Sequence, residues 1–239
     1  IAGKSWSTSW AAGVPGSVAG FGLAHEKYGS LQWGNLLYPA SRLALKGFNL
    51  DFLNLRYMNS PYYNKYLSND IETAKIFTKK NGDMFELGEK FIQQDLGLTL
   101  KRIARKGYRE FYEGNTADMI VDCMKRTDGL ITKEDLKNYT AIERIPIEFE
   151  YRGHKVYSMP PASSGGVTIA GILNQLENVE LGELEYHSAQ HIHYVSEAER
   201  RVYADRAEFM GDMDFVPVPL AKLSSDEYAA ERWESVDSI

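Results

Sequence analysis

The sequence predicts an α/β (α+β) chain, mainly helical with one β-hairpin, and three observations carry that prediction. Apolar residues recur at i, i+3, i+4 and i+7 in two long stretches, 31–48 and 91–107, as one face of a helix requires. The pattern changes to alternation near 145–158, where Ile145, Ile147, Phe149 and Tyr151 precede an Arg152-Gly153 turn. Glycine and proline punctuate these runs at the places where helices and strands stop. With 239 residues, 44% of them hydrophobic, the chain can bury the core of one large domain or two small ones.

In chain order, Pro15-Gly16 reads as a turn, with Ser17 as N-cap of a short glycine-rich helix that Gly29 closes. Leu36, Leu37, Ala40, Leu43, Ala44 and Phe48 form the stripe of the next helix, which Gly47 ends and Pro39 is expected to kink or divide. Residues 49–90, rich in aromatics, Asn and charges, read as short helices and loops. Phe91, Leu96, Leu100, Ile103 and Ala104 make the second stripe, stopped by Gly107, and a further helix is expected over 108–125. Thr132 with Asp135 three residues on approaches a capping box. After the hairpin, helices are expected over 166–176 and 187–209, the second turning Ile192, Val195, Val202 and Phe209 inward. There is no repeat or low-complexity segment. A single hairpin implies that any larger sheet draws its strands from elsewhere.

A formal charge of -6 without long like-charge blocks argues against a nucleic-acid or anionic-membrane partner. The one basic cluster places Ile103 and Ala104 toward a core and Lys101, Arg102, Arg105 and Lys106 toward water. Cys123 is the only cysteine, which excludes an internal disulfide; among apolar neighbours it reads as a small buried hydrophobe. No apolar run reaches membrane-spanning length, and the opening residues lack the pattern of a signal peptide. The start at Ile1 suggests a fragment or a processed subunit.

Chemistry centres on YSMPPASSGG. A nucleophilic Ser163 or Ser164 needs a base within hydrogen-bond reach and oxyanion donors, and no G-x-S-x-G elbow or positioned histidine supplies them. The more economical reading is a corner: Pro160-Pro161 ends a strand, a serine caps the next helix, and Gly165-Gly166 allows close backbone approach. That helix N-terminus could still contact an anionic substrate. His187, His191 and His193 lack H-E-x-x-H spacing, so polar helix surface is preferred to a metal site. Asp205, Glu208, Asp212 and Asp214 read as structural ion-pair partners rather than an acid/base pair. No G-x-G-x-x-G or Walker pattern occurs, and no cofactor is expected.

The segments GVPGSVAGFGLAHEKYG, WGNLLYPASRLALKGF, FYEGNTADMI, DGLITKEDLKNY, YRGHKVYSMPPASSGG and EAERRVYADRAEFMGDMDFV, in this order, closely resemble the large subunit of the gamma-glutamyltransferase (gamma-glutamyltranspeptidase) family, over Gly13 to Tyr228. The resemblance implies an N-terminal nucleophile hydrolase, an αββα sandwich made as one precursor that cuts itself into large and small subunits. Residues 1–239 would be the large-subunit portion of a single domain. The nucleophile would be the threonine opening the small subunit, with its own α-amino group as base, attacking γ-glutamyl amides such as glutathione. The family places its paired serines and glycines, and its Thr-Thr-His opening, in the small subunit, and its carboxylate-gripping arginine upstream of GVPG. No catalytic residue therefore carries over onto this chain. Ser163, Ser164, Gly165 and Gly166 remain substrate-binding candidates near the cleft only. Ala162 and Met213 stand where the family often has proline. The implied partner is the small subunit, across a large apolar interface, and the implied location is periplasmic or extracellular. Relatives acting on other amides, cephalosporin acylases and poly-γ-glutamate depolymerases, share these motifs. A non-catalytic binding protein on the same fold is the alternative of another class.

Overall fold

The computed structural model describes residues 3, 4 and 8–237, of which 66, 68 and 69 by backbone only. The sequence readings of the opening segment and of the last two residues fall partly outside them. The chain divides at Ile142–Glu143 into two compact units.

The first unit is helical. After a single 3-10 turn come α1 (Ser17–Tyr28) and α2 (Trp33–Lys46), β1 (Phe48–Asn49), then α3 (Phe52–Met58), α4 (Pro61–Asn69) and α5 (Ile71–Phe77). β2 (Lys90–Phe91) follows, then α6 (Gln94–Lys106), α7 (Arg109–Glu113), α8 (Asn115–Arg126) and α9 (Lys133–Asn138). β1 and β2 pair antiparallel with Phe48 opposite Phe91, so these two phenylalanines continue strands rather than the helix stripes expected of them. Their rings meet edge-on with centroids 5.9 Å apart.

The crossing of α2 on α6 is built from small residues. A Cβ added at Gly97 would lie 2.5 Å from Leu45 Cγ, and Ser41 Oγ donates to the Gly97 carbonyl at 2.8 Å. Trp33 Nε1 donates to the Ile103 carbonyl at 3.0 Å. The buried set is therefore Ser41, Ala44, Gly97, Ile103 and Ala104, while Leu36 and Leu43 of the expected stripe are 47% and 53% exposed. Pro39 neither divides nor ends α2, which runs through it unbroken. Its cost is the missing N–H bond to the preceding turn.

A second cluster surrounds Tyr112, fully buried with Ala19, Ala117, Ile131 and Leu136. Its hydroxyl accepts from the Ala19 N–H at 3.0 Å and donates to the Pro15 carbonyl at 2.6 Å, so the polar tip is satisfied inside an apolar core. Tyr139 stacks on it at 5.6 Å. The N-cap of α1 is Gly16 rather than Ser17, and a Cβ at Gly16 would fall 2.1 Å from the Tyr139 hydroxyl, so that position admits only glycine without a shift of the ring. Arg102 leaves the solvated face expected of it: its Nε lies 3.2 Å from the carboxylate of buried Glu110, which also accepts from Thr116 Oγ1 at 2.7 Å. A buried carboxylate needs such partners. The helix expected over 108–125 is broken at Gly114, and the Thr132–Asp135 capping box forms.

The second unit opens with the hairpin of β3 (Ile147–Tyr151) and β4 (His154–Ser158), in register from Ile147 opposite Ser158 to Tyr151 opposite His154. Arg152 and Gly153 turn with φ of 47° and 76°, the left-handed pair that a two-residue type I′ loop requires. Ile145 precedes the strand and is exposed. α10 (Gly165–Leu176), α11 (Ala189–Phe209), α12 (Leu220–Leu223) and α13 (Asp226–Trp233) complete the unit. Ile147 and Phe149 bury against Val167, Ala170 and Leu223, so one hairpin face lies on α10. On α11 Val202 points inward as expected, whereas Ile192 is exposed. α11 holds the chain after α13 through Arg201, which donates to the Arg232 carbonyl at 2.8 Å and the Ser235 carbonyl at 2.7 Å and pairs with Glu197.

Two outcomes follow from this packing. Gly97→Val should lower unfolding free energy by about 1–3 kcal/mol, read from urea denaturation, because the added atoms collide with Leu45. Hydrogen bonds from Arg200 and Arg201 hold the Glu197 carboxyl at a pKa of about 2, down from 4.5. A depressed carboxylate pKa gives stability that is present above pH 4.5 and lost as pH falls toward 2. Glu197→Gln should therefore flatten the dependence of the denaturation midpoint on pH across that window, and an unchanged slope would contradict the pairing.

Candidate functional site

The corner between β4 and α10 brings the four site candidates together. Pro161 is fully buried and ends the extended segment, so the chain turns into α10 within a few residues. Gly166 is buried there because a Cβ would lie 2.3 Å from the Met159 carbonyl oxygen and 3.1 Å from Ile147 Cγ1. The close approach expected of the glycine pair thus falls on Gly166. Gly165 is exposed, and its added Cβ would meet only Ser163 Oγ at 3.5 Å.

The serines divide the capping work. Ser164 occupies the N-cap position and its carbonyl accepts the first helical bond from Thr168 N–H at 2.9 Å, but its side chain makes no capping bond. Ser163 Oγ instead accepts from the Gly165 N–H at 3.3 Å. Ser164 Oγ accepts from Arg206 Nε of α11 at 2.9 Å. The partners of the two hydroxyls among the described residues are an amide and a guanidinium, both donors. Neither can take a proton from serine, so the corner lacks the base that nucleophilic attack requires.

Arg206 was not anticipated as a partner of Ser164, since it lies 42 residues away and no local spacing links the two. Its guanidinium and the N-terminus of α10 put positive potential on the same corner. That arrangement can orient an anionic group; it cannot make or break a bond. Behind it, Val167, Thr168, Asp205, Arg206 and Tyr228 border a cavity of about 10 Å³, room for about one water and too small for a peptide-sized ligand.

The other candidates are structural. Asp205 is buried, accepts from the Tyr228 hydroxyl at 3.1 Å and pairs with Arg232 at 3.2 Å. Burial, then the Asp205 charge, raises the Tyr228 pKa above its ordinary value. Asp214 and Asp212 face Arg144 at 2.5 and 3.9 Å. Ion pairing was the expectation for these acids, although their partners come from distant segments. His193 Nε2 meets the Asp237 carbonyl at 2.8 Å, and the His187 and His191 rings stand edge-on with centroids 6.3 Å apart. Among the described residues no group of three or more His, Cys, Asp or Glu is placed to hold a metal ion.

A profile of the gamma-glutamyltranspeptidase family matches residues 3–238. The chain belongs to the gamma-glutamyltranspeptidase family. It is 42% identical over 234 residues to the glutathione hydrolase proenzyme of Escherichia coli (strain K12), covering 98% of this chain and 40% of that protein. The capsule biosynthesis protein CapD proenzyme of Bacillus anthracis is 37% identical over 223 residues, covering 90% of this chain and 39% of its own length. The crystal structure of Helicobacter pylori gamma-glutamyltranspeptidase superposes with a TM-score of 0.95 at 37% identity, covering all of this chain and 68% of that one. The fold is accordingly that of the gamma-glutamyltranspeptidases, N-terminal nucleophile hydrolases. The chain spans about 40% of the length of the curated relatives it matches.

If the corner is structural, replacing both serines should spare the chemistry. In the complete gene product, Ser163→Ala with Ser164→Ala should keep turnover within a few-fold of wild type. Gly166→Val should instead destabilise the protein by about 1–3 kcal/mol or more through its clash with the Met159 carbonyl. Loss of turnover in the folded double-alanine variant would restore the serines as reacting groups.

Proposed function

We propose that residues 1–239 form the large-subunit portion of a single-domain γ-glutamyltransferase and glutathione hydrolase, working with a small subunit cut from the same precursor. The observation that carries this reading is the match along nearly the whole chain to glutathione hydrolase proenzymes. The chemistry of the corner supports it, since Ser163 and Ser164 have donors as partners and leave the nucleophile to be supplied from elsewhere. In the proposed reaction a threonine that opens the small subunit attacks the γ-glutamyl carbonyl and the amine leaves. Water or an acceptor amino acid then resolves the γ-glutamyl ester. Ser163 to Gly166, with Arg206, take a place near the cleft as a positively polarised wall rather than as reacting groups. No described helix is long and apolar enough to cross a membrane, and a periplasmic or extracellular location fits the family.

The match to the acylase ACY 1 proenzyme of Pseudomonas sp. (strain V22) favours a second reading, an amide hydrolase of the same mechanism with a different acyl substrate. One experiment separates the two. The complete gene product should yield two polypeptides, the second beginning with threonine, and should release the amine from a γ-glutamyl anilide. Changing that threonine to alanine should abolish both events. Cleavage without γ-glutamyl turnover would favour the second reading, and an uncleaved, inactive product would overturn both.

A further inference from the structure

One face of α2 carries side chains that packing does not explain. Asn35, Tyr38, Pro39, Arg42 and Lys46 recur at helical spacing and line a groove of about 500 Å³, with Lys101 of α6 in the same lining. All six are exposed. Arg42, Lys46 and Lys101 have no ion-pair or hydrogen-bond partner among the described residues, and no acidic side chain lines the groove. Two costs meet here. Arg42 and Lys46, four residues apart, repel along one helix face, and Lys101 adds a third positive charge. The helix dipole favours a cation in the last turn, which accounts for Lys46 but not for Arg42 or Lys101. Pro39 has no N–H for the Asn35 carbonyl one turn back, so α2 gives up a helical bond within the same lining.

Burial offsets neither cost, since Pro39 and the three cations are exposed. In a chain whose formal charge is -6, a groove lined by cations alone goes against the background. Local rules broken together at one concave place mark a site shaped for something other than stability. An oligoanion would relieve the repulsion. The Arg42 guanidinium can hold a carboxylate or phosphate through a fork of two hydrogen bonds, the two ammonium groups add point charges, and the Tyr38 hydroxyl and Asn35 amide can donate as well. A volume of about 500 Å³ falls in the range of small-molecule sites, so one simple ion would leave most of the groove unfilled. We propose that this groove binds a small oligoanion bearing two or more carboxylate or phosphate groups. The site lies wholly within the first unit and owes nothing to the enzymatic reading.

Isothermal titration calorimetry of the complete gene product at low ionic strength tests it, with tripolyphosphate and tricarballylate as separate probes. Saturable binding of at least one probe is expected. Arg42→Gln and Lys101→Gln should each weaken it roughly ten-fold or more, while Arg105→Gln, at an exposed cation of α6 outside the lining, should leave it within a few-fold of wild type. Tripolyphosphate alone would identify phosphate groups as the ligand chemistry, tricarballylate alone carboxylates, and both together a site that reads charge. No saturable binding of either probe, binding that survives Arg42→Gln and Lys101→Gln, or an equal loss in Arg105→Gln would overturn the proposal. Thermal melting without probe is an independent readout. Removing Arg42 relieves like-charge repulsion, so Arg42→Gln should melt at or above the wild-type temperature. A fall of several degrees would show that Arg42 is already engaged elsewhere in the molecule, and would overturn the proposal as well.

Discussion

Contact between backbone and side chain at glycine is the constraint on which each unit depends. Gly97 lets α6 meet Leu45 of α2 at a distance where any Cβ would collide, and Gly166 lets the start of α10 meet the end of β4 in the same way. The first contact determines which residues of α2 are buried, turning Ser41 and Ala44 inward and leaving Leu36 outside. The second holds the first turn of α10 against Met159 and Ile147, and with it the neighbouring pair of serines. Chemistry at the corner is therefore subordinate to packing. The hydroxyls are placed by a turn whose shape is dictated by a neighbouring carbonyl oxygen, and the groups that reach them are donors.

Three buried polar side chains are matched by partners, two in the first unit and one in the second. Tyr112, Glu110 and Asp205 lie among apolar neighbours, and each finds its partners there: main-chain groups for Tyr112, Arg102 and Thr116 for Glu110, Tyr228 and Arg232 for Asp205. Leaving any of them unpaired would cost about 1–3 kcal/mol or more. This explains why a chain so rich in acids and bases at 205–214 presents no acid/base pair. Asp205, Asp212 and Asp214 are committed to cations, and Arg206 is committed to Ser164.

Much of this was legible where the determining interaction is local. Arg152-Gly153 announced its hairpin, Thr132 and Asp135 their capping box, and Gly47 and Gly107 the ends of their helices, because turn and cap chemistry act over three or four residues. The corner was read as a strand-to-helix turn for the same reason. What stayed hidden acts over long separations. Tyr139 excludes a side chain at Gly16 from more than a hundred residues away. The pairing of Arg102 with Glu110 joins two successive helices across the Gly107 turn, and spacing within either helix does not reveal it. The leucine stripe of α2 suggested the wrong buried face because periodicity counts apolar residues, while the crossing selects small ones. For the candidate site, residue types and turn were readable, and the Arg206 contact that neutralises Ser164 was not.

The central proposal is that the nucleophile of the complete gene product is not among the serines of this chain. Treatment of the complete gene product with an electrophilic glutamine analogue, followed by mapping of the covalent adduct, tests it most directly. The account predicts one adduct per molecule, on an N-terminal threonine of a second polypeptide, with residues 1–239 unlabelled. An adduct on Ser163 or Ser164 would contradict it.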